Sequence, residues 1–250
     1  MSSAPVFLVG PESLANAESG ARLTLEGAEG RHAVAVRRLR VGEEIVLSDG
    51  AGSGVLGRVA EVGGRDRLEV AVVERCGEPE PAPSVTVVQA LPKGDRGELA
   101  VSTMTETGVD AVVPWAAARC VTQWRGERGA RSLARWRGAA REAAKQARRL
   151  RVPEVAEPLD SAGVARLLAG ASFAAVLHEA ATLPLATAEL PAEGRLVLVV
   201  GPEGGITEAE LTAFADAGAT PYRLGPTVLR TSTAGPAATA LLLTRTGRWS

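Results

Sequence analysis

The sequence predicts a two-domain α/β protein: a small β-barrel over residues 1–76, a linker at 77–83, and a mainly parallel sheet covered by helices over 84–250. Three observations carry this reading. Up to residue 75 or so, short β-type runs alternate with Gly-rich turns. The segment Gly77-Glu-Pro-Glu-Pro-Ala-Pro83 is stiff, extended and unsuited to a core. From Ser84 onward, apolar runs alternate with helical patterns, which is how a parallel sheet with crossover helices is written.

In the first domain, strands are predicted at 6–9, 44–48, 55–62 and 68–73, with a turn at Asp49-Gly50. Residues 29–39 are predicted as a short helix with a basic edge. In the second domain, strands are predicted at 85–91, 111–115, 173–178, 195–200 and 221–224. Helices are predicted at 97–107, 132–150, 161–168, 207–217 and 233–246. Within 132–150, Leu133, Trp136, Ala140, Ala143, Ala147 and Leu150 recur every three or four residues and make one apolar stripe.

Composition removes several function classes. With 28 basic and 29 acidic residues the net charge is −1, which excludes a uniformly basic nucleic-acid coat and an acidic disordered tail. Aromatic residues are 3% of the chain, so an RNA platform built from several stacked rings is not expected. Two cysteines without a CxxC and two histidines predict neither a disulfide framework nor a metal site. The first ten residues lack the basic stretch of a signal peptide, and no apolar run approaches the ~18 residues of a membrane span. A cytoplasmic protein without a membrane partner is expected.

The near-neutral total hides an asymmetry. Between residues 119 and 151 stand Arg119, Arg125, Arg128, Arg131, Arg135, Arg137, Arg141, Lys145, Arg148, Arg149 and Arg151, opposed only by Glu127 and Glu142. A smaller cluster is Arg31, Arg37, Arg38 and Arg40. An acidic body with one basic band suits a polyanion held at one place. Arg137, Arg141 and Lys145 follow one another at i,i+4, where like charges repel. With few carboxylates nearby in sequence, their neutralising partner is expected elsewhere, with RNA phosphate the obvious candidate and a solvated helix face the alternative.

The strongest local signal is the run Leu196-Val-Leu-Val-Val-Gly201-Pro-Glu-Gly-Gly205-Ile-Thr-Glu. An apolar strand enters a Gly/Pro loop, and a helix opens with Thr207 and Glu210 in capping-box spacing. It is neither a P-loop nor a GxGxxG fingerprint. A second run, Leu224-Gly225-Pro-Thr-Val-Leu-Arg230-Thr-Ser-Thr-Ala234, repeats the strand, Gly-Pro loop and capped helix. Val176-Leu-His178-Glu179 ends a third strand. A tight structural turn accounts for either loop alone; several at one edge of a parallel sheet point to a ligand pocket.

At these residues the chain resembles the SPOUT-class RNA methyltransferases. More narrowly, it is similar to the bacterial small-subunit ribosomal RNA uridine-N3 methyltransferases. The resemblance spans most of the chain: Arg31-His-Ala-Val-Ala-Val-Arg-Arg-Leu-Arg40-Val-Gly42 with Asp49-Gly50, Gln89-Ala-Leu-Pro-Lys93-Gly-Asp-Arg96, Glu106-Thr-Gly108-Val109, Arg119-Cys120, Arg151-Val-Pro153, and above all the two Gly-Pro runs. Two departures stand out. Many relatives carry an acidic residue where Lys145 stands, and a Glu where Ser232 stands, which removes any catalytic carboxylate there.

The resemblance implies an N-terminal PUA-like RNA-binding barrel and a C-terminal SPOUT domain with a deep trefoil knot. It implies S-adenosyl-L-methionine as cofactor, held by Leu177, His178, Glu179, Gly201, Pro202, Glu203, Gly204, Gly205, Ile206, Leu224, Gly225, Val228, Leu229 and Arg230. The implied substrate is 16S ribosomal RNA within the small subunit, and the implied assembly is a homodimer through the knot region. Arg230 leads as the catalytic cation, followed by Arg96 and Lys93; Glu203 and Glu98 are the candidate proton acceptors, with loss of the proton to water beside nearby cations as the equal alternative. Arg31, Arg37, Arg38, Arg40, Arg131, Arg137, Arg141, Lys145, Arg148 and Arg149 are the expected RNA contacts. Two other readings share these motifs: methylation of another base or a ribose 2′-hydroxyl, and a ribosome-assembly RNA-binding protein without catalysis. The intact Gly201, Gly204, Gly205 and Gly225 weigh against the second.

Overall fold

The computed structural model describes residues 4–249. It divides into two compact units, one of residues 1–80 with 144–152 and the other of 81–143 with 153–250.

The first unit is a curved five-stranded sheet. Strands β1 (Val6–Leu8), β2 (Arg22–Leu25), β3 (Glu44–Ser48), β4 (Ser53–Gly63) and β5 (Arg67–Gly77) lie in the order β1-β3-β4-β5-β2. β1 runs parallel to β3, and the other pairs are antiparallel. The long β4–β5 hairpin shifts register after Leu56 and after Val59, and such bulges bend a sheet. Its inner face buries Phe7, Leu25, Ile45, Leu47, Val55, Val59, Leu68 and Val70. Because β1 and β2 are the edge strands, paired among the described residues with β3 and β5 alone, the expected barrel is an open half-barrel.

Two expectations in this unit need correction. Strand β2 goes unpredicted because its four residues are too few to set an alternating pattern. The helix expected at 29–39 is two pieces: α1 (Gly27–Arg31), then one wider π turn over His32–Val36, closed by Arg37 N–H on the His32 carbonyl at 2.8 Å. Arg38, in the left-handed region at φ 57°, ends it.

The second unit is an all-parallel sheet of β6 (Ser84–Ala90), β7 (Ala111–Trp115), β8 (Glu154–Val155), β9 (Phe173–Leu177), β10 (Arg195–Val200) and β11 (Thr220–Tyr222), in the order β11-β9-β10-β6-β7-β8. Its helices are α2 (Arg96–Thr107), most of α3 (Gly126–Gln146), α4 (Ser161–Ala169), α5 (Glu208–Asp216) and α6 (Thr231–Arg245). The apolar runs at 87–88 and 196–200 are buried, as strands covered on both faces must be. Arg248 clasps Asp110 with two hydrogen bonds of 2.6 and 3.0 Å, and Asp110 also accepts the Val85 N–H at 2.7 Å. This ties the chain after α6 to the start of the sheet.

Helix α3 starts six residues before, and ends four residues before, the expected bounds. Leu133, Trp136, Ala140 and Ala143 form the buried stripe. Trp124 meets Trp136 edge-on, with ring centroids 4.9 Å apart. Arg148 leaves the helix at φ 57°, and Leu150 then joins the first unit in an extended segment, its carbonyl accepting the Ser48 hydroxyl at 2.8 Å. The apolar spacing runs on through Leu150, so periodicity alone places the helix end too late.

Lys145 also departs from expectation. It is 4% exposed, and its ammonium lies 2.9 Å from Glu29 Oε1 and 3.4 Å from His32 Nδ1. It is therefore an interior ion pair of the first unit and not an RNA contact. Glu29 supplies its carboxylate from far away in sequence. Removing one partner of a buried pair strands the other charge. Lys145→Ala is expected to cost about 3 kcal/mol in urea unfolding, and Lys145→Met combined with Glu29→Leu to recover most of that loss.

Candidate cofactor and RNA site

The second unit gathers its Gly-rich loops at the carboxyl ends of β9, β10 and β11, where parallel sheets place ligands. After β10 the chain enters Gly201-Pro-Glu-Gly-Gly205-Ile206. Gly205 is left-handed at φ 75°, and its N–H closes a tight turn on the Pro202 carbonyl at 2.9 Å. A Cβ on Gly201 would lie 2.8 Å from Ile206 Cγ1, so only glycine lets Ile206 fold back over the loop.

The other two strand ends complete the wall. His178 N–H donates to the Tyr222 carbonyl at 3.0 Å, joining the ends of β9 and β11. Its Nδ1 faces the Ala180 N–H at 3.2 Å and accepts from it, which leaves a neutral ring's proton on Nε2. The Thr231 hydroxyl donates to the Gly201 carbonyl at 3.1 Å, bringing the start of α6 to the end of β10.

Together the three segments enclose a cleft of about 580 Å³, within the usual range for small-molecule sites. Every residue expected at the cofactor lines it except Gly204, whose carbonyl is turned to Arg119. Val228 sits there 83% exposed, at the rim. Arg96 and Arg230 line the cleft; Lys93 does not, and reaches its wall through its N–H, 3.4 Å from Glu203 Oε1. Glu98 is no proton acceptor for this cleft, being off it and paired with Arg135 at 2.7 Å. Ser232 is buried and also off the cleft. Sequence reasoning missed Val200, Arg223, Thr231 and Ala234, although each lies in or beside one of the two Gly-Pro runs. A second cleft of about 560 Å³, beside Phe173 and Tyr222, contains none of the expected residues, and Glu189 is its one charged lining group among the described residues.

Charge in the cleft is uneven. Arg96 stands 3.5 Å from Glu203, so those two offset one another. Arg223 and Arg230 have no ion pair among the described residues. Burial pushes the thiols of Cys76 and Cys120 up, so neither is a ready nucleophile. Among the described residues no group of three or more His, Cys, Asp or Glu could hold a metal ion, and no helix is long and apolar enough to cross a membrane.

Beneath the cleft, Glu210 is 5% exposed. Its Oε1 accepts from Ala118 N–H at 2.8 Å and Ser161 Oγ at 2.7 Å, and its Oε2 from Thr207 N–H at 3.0 Å and Thr207 Oγ1 at 2.8 Å. Burial alone would push this carboxyl up. The amides of Ala118 and Thr207 and the hydroxyls of Ser161 and Thr207 outweigh it and hold it below the ordinary carboxylate value. Thr207 completes the capping box that its spacing to Glu210 predicts.

The basic residues divide. Arg31, Arg37, Arg38 and Arg40 are exposed on the first unit, as are Arg141 on α3 and Arg148 beyond it. Arg131 makes an exposed pair with Glu127, and Arg149 is half-buried. Arg137 donates to the Val155 carbonyl at 3.0 Å and pairs with Glu157 at 3.0 Å. The expectation that the i,i+4 series lacks protein partners thus fails at Arg137 and Lys145, because their partners come from other elements.

Residues 78–243 match the family described as an RNA methyltransferase domain, and residues 25–73 the family described as an RNA methyltransferase PUA domain. A ribosomal RNA small subunit methyltransferase E of Mycobacterium tuberculosis is 47% identical over 93% of this chain and 90% of its own length. The protein of that name in Bacillus subtilis is 29% identical over 87% of this chain and 88% of its own. Among solved structures, the ribosomal RNA small subunit methyltransferase E of Neisseria gonorrhoeae, bound to S-adenosyl methionine, superposes with a TM-score of 0.83 at 28% identity, covering 97% of this chain and 98% of that one.

Because the Glu210 pKa is lowered on folding, its contribution is present above the unfolded carboxylate value and lost as pH falls through the folded one. Glu210→Gln replaces an acceptor by a donor facing donors. In urea unfolding the variant should be less stable than wild type at neutral pH, and the gap should shrink once pH falls below about 4.

Proposed function

The chain belongs to the RNA methyltransferase family, and on that premise we propose that it methylates N3 of a specific uridine in 16S ribosomal RNA, using S-adenosyl-L-methionine. One observation carries the reading: three loops distant in sequence converge on one cleft of suitable size at the strand ends. In this reading residues 1–76 hold RNA and residues 84–250 form the catalytic domain.

The lining fits the cofactor. Ile206, Leu224 and Leu229 offer apolar faces to a flat heterocycle, and the loop backbones offer amides and carbonyls to its polar edge. When bound, S-adenosylmethionine supplies a methyl group already activated on a sulfonium. The chain's own tasks are alignment and charge handling. Uridine N3 carries a proton, and its loss spreads negative charge onto the flanking carbonyl oxygens. Arg230, a cleft cation at the start of α6 with no ion pair among the described residues, stabilises that charge. Arg96 is the second choice because Glu203 offsets it, and Lys93 the third because it lies off the cleft. Of the two expected proton acceptors, Glu203 lines the cleft and Glu98 does not, so Glu203 takes the N3 proton, directly or through water. A stacked uridine must be splayed out to present N3.

RNA is held by phosphate contacts from exposed Arg31, Arg37, Arg38, Arg40, Arg131, Arg141 and Arg148, with Arg149 and Arg137 secondary. The C-terminal segment is read as threaded into a deep trefoil knot. The Thr231–Gly201 bond and the Arg248–Asp110 clasp hold α6 against the sheet, as such a threading requires. The same region is the proposed homodimer contact, and the substrate is the RNA of the small ribosomal subunit in the cytoplasm.

Nucleoside mass spectrometry of 16S RNA from a deletion strain tests the target: 3-methyluridine should disappear, and its persistence would defeat the reading. Arg230→Ala should lower kcat by roughly 10²-fold while changing cofactor Kd by less than about threefold; equal losses would assign Arg230 to binding. Arg141→Glu with Arg40→Glu should weaken RNA binding and reduce the slope of log K against log salt by about 0.7 to 0.9 for each phosphate no longer neutralised.

A further inference from the structure

Gly204 is the one expected cofactor residue that does not line the cleft, and its environment shows why. The Arg119 Nη1 donates to the Gly204 carbonyl at 3.1 Å. A Cβ on Gly204 would lie 3.2 Å from Arg119 Cβ and 3.3 Å from the Arg119 carbonyl oxygen, and one on Gly205 would lie 3.6 Å from Arg119 Nη1. The segment after β7 is therefore laid against the outer side of the Gly201–Ile206 turn.

That segment is itself held in place. The N–H of Ala118, one residue before Arg119, donates to the buried Glu210 carboxylate at 2.8 Å. Cys120 N–H bonds the Ala117 carbonyl at 3.0 Å, and the Thr122 hydroxyl bonds the Pro92 carbonyl at 2.9 Å. On the other side of the same turn, Glu203 meets Lys93 N–H at 3.4 Å and Arg96 at 3.5 Å. The turn is clamped from two directions, and Arg119 is the only side chain among the described residues that donates to its backbone carbonyls apart from Thr231 at Gly201.

We infer that Arg119 is a positioning residue for the cofactor: it fixes Gly204, and through it Gly205, in the conformation that receives S-adenosylmethionine. This role rests on the proposed function for its ligand and goes beyond it in naming a residue outside the cleft. Arg119 opens the basic band, and its exposure would equally suit an arm for RNA phosphate. The two roles separate cleanly, because a carbonyl-bound guanidinium acts on the cofactor without RNA present, whereas a phosphate arm acts only on RNA.

The test is isothermal calorimetry of the full chain with S-adenosylmethionine and no RNA, for wild type, Arg119→Ala and Arg119→Lys. Arg119→Ala should raise Kd roughly tenfold, the loss of one charge-assisted hydrogen bond, and Arg119→Lys, which keeps a donor, should recover part of it. In turnover assays KM for the cofactor should rise while kcat at saturation changes by less than about threefold. Hydrogen exchange of the peptide covering 201–206 should speed up in Arg119→Ala with the melting temperature unchanged. An unaltered cofactor Kd with a reduced salt slope of RNA binding would overturn the inference in favour of a phosphate arm. Should wild type take up no cofactor, the proposed function fails, and unchanged exchange at 201–206 would then defeat the clamp as well.

Discussion

Glu210 accepts four hydrogen bonds while almost wholly removed from water. A carboxylate in that position is tolerable only when its lone pairs are matched by donors, so the donors cannot drift far without stranding a charge. They come from three places: the start of α5 at Thr207, the start of α4 at Ser161, and the chain after β7 at Ala118. One side chain thus sets where α5 begins relative to the neighbouring strand end. The turn preceding α5 has little freedom left, since β10 holds its other end within the sheet. The cleft is a consequence of this bracing. Its walls are turns with few side chains of their own, and they keep a shape because the groups behind them are fixed.

The distribution of charge follows a related logic. The basic band is dense in sequence, yet much of it is engaged by carboxylates far along the chain: Arg135 with Glu98, Arg137 with Glu157 and Lys145 with Glu29. Lys145 is the extreme case, an ammonium almost without access to solvent and hence to any polyanion. What remains outward is a thinner set, including the Arg31–Arg40 cluster, Arg141 and Arg148. Phosphate contacts of this kind hold a backbone in register and carry little base information. In the proposed reaction the choice of nucleotide then falls to the cleft and to RNA shape, because the exposed guanidiniums do not distinguish one base from another.

Most of the strand and helix positions in the second unit are legible in the amino-acid order, because buried parallel strands are continuous apolar runs and amphipathic helices repeat every three or four residues. The runs at 111–115 and 195–200 match β7 and β10 end to end. The Gly-Pro runs and the Thr207–Glu210 capping box were legible for the same reason: glycine, proline and capping residues act on their immediate neighbours. Tertiary structure alone decided what depends on elements remote in sequence. No spacing could announce that Glu29 neutralises Lys145, that the barrel stops half-way round, that Leu150 leaves its helical stripe for another unit, or that Arg119 backs Gly204. Hydrophobic period and local caps are written within a few residues. Pairing of buried charges, sheet closure and the support behind a turn are settled by which distant groups the fold brings within about 3 Å of one another.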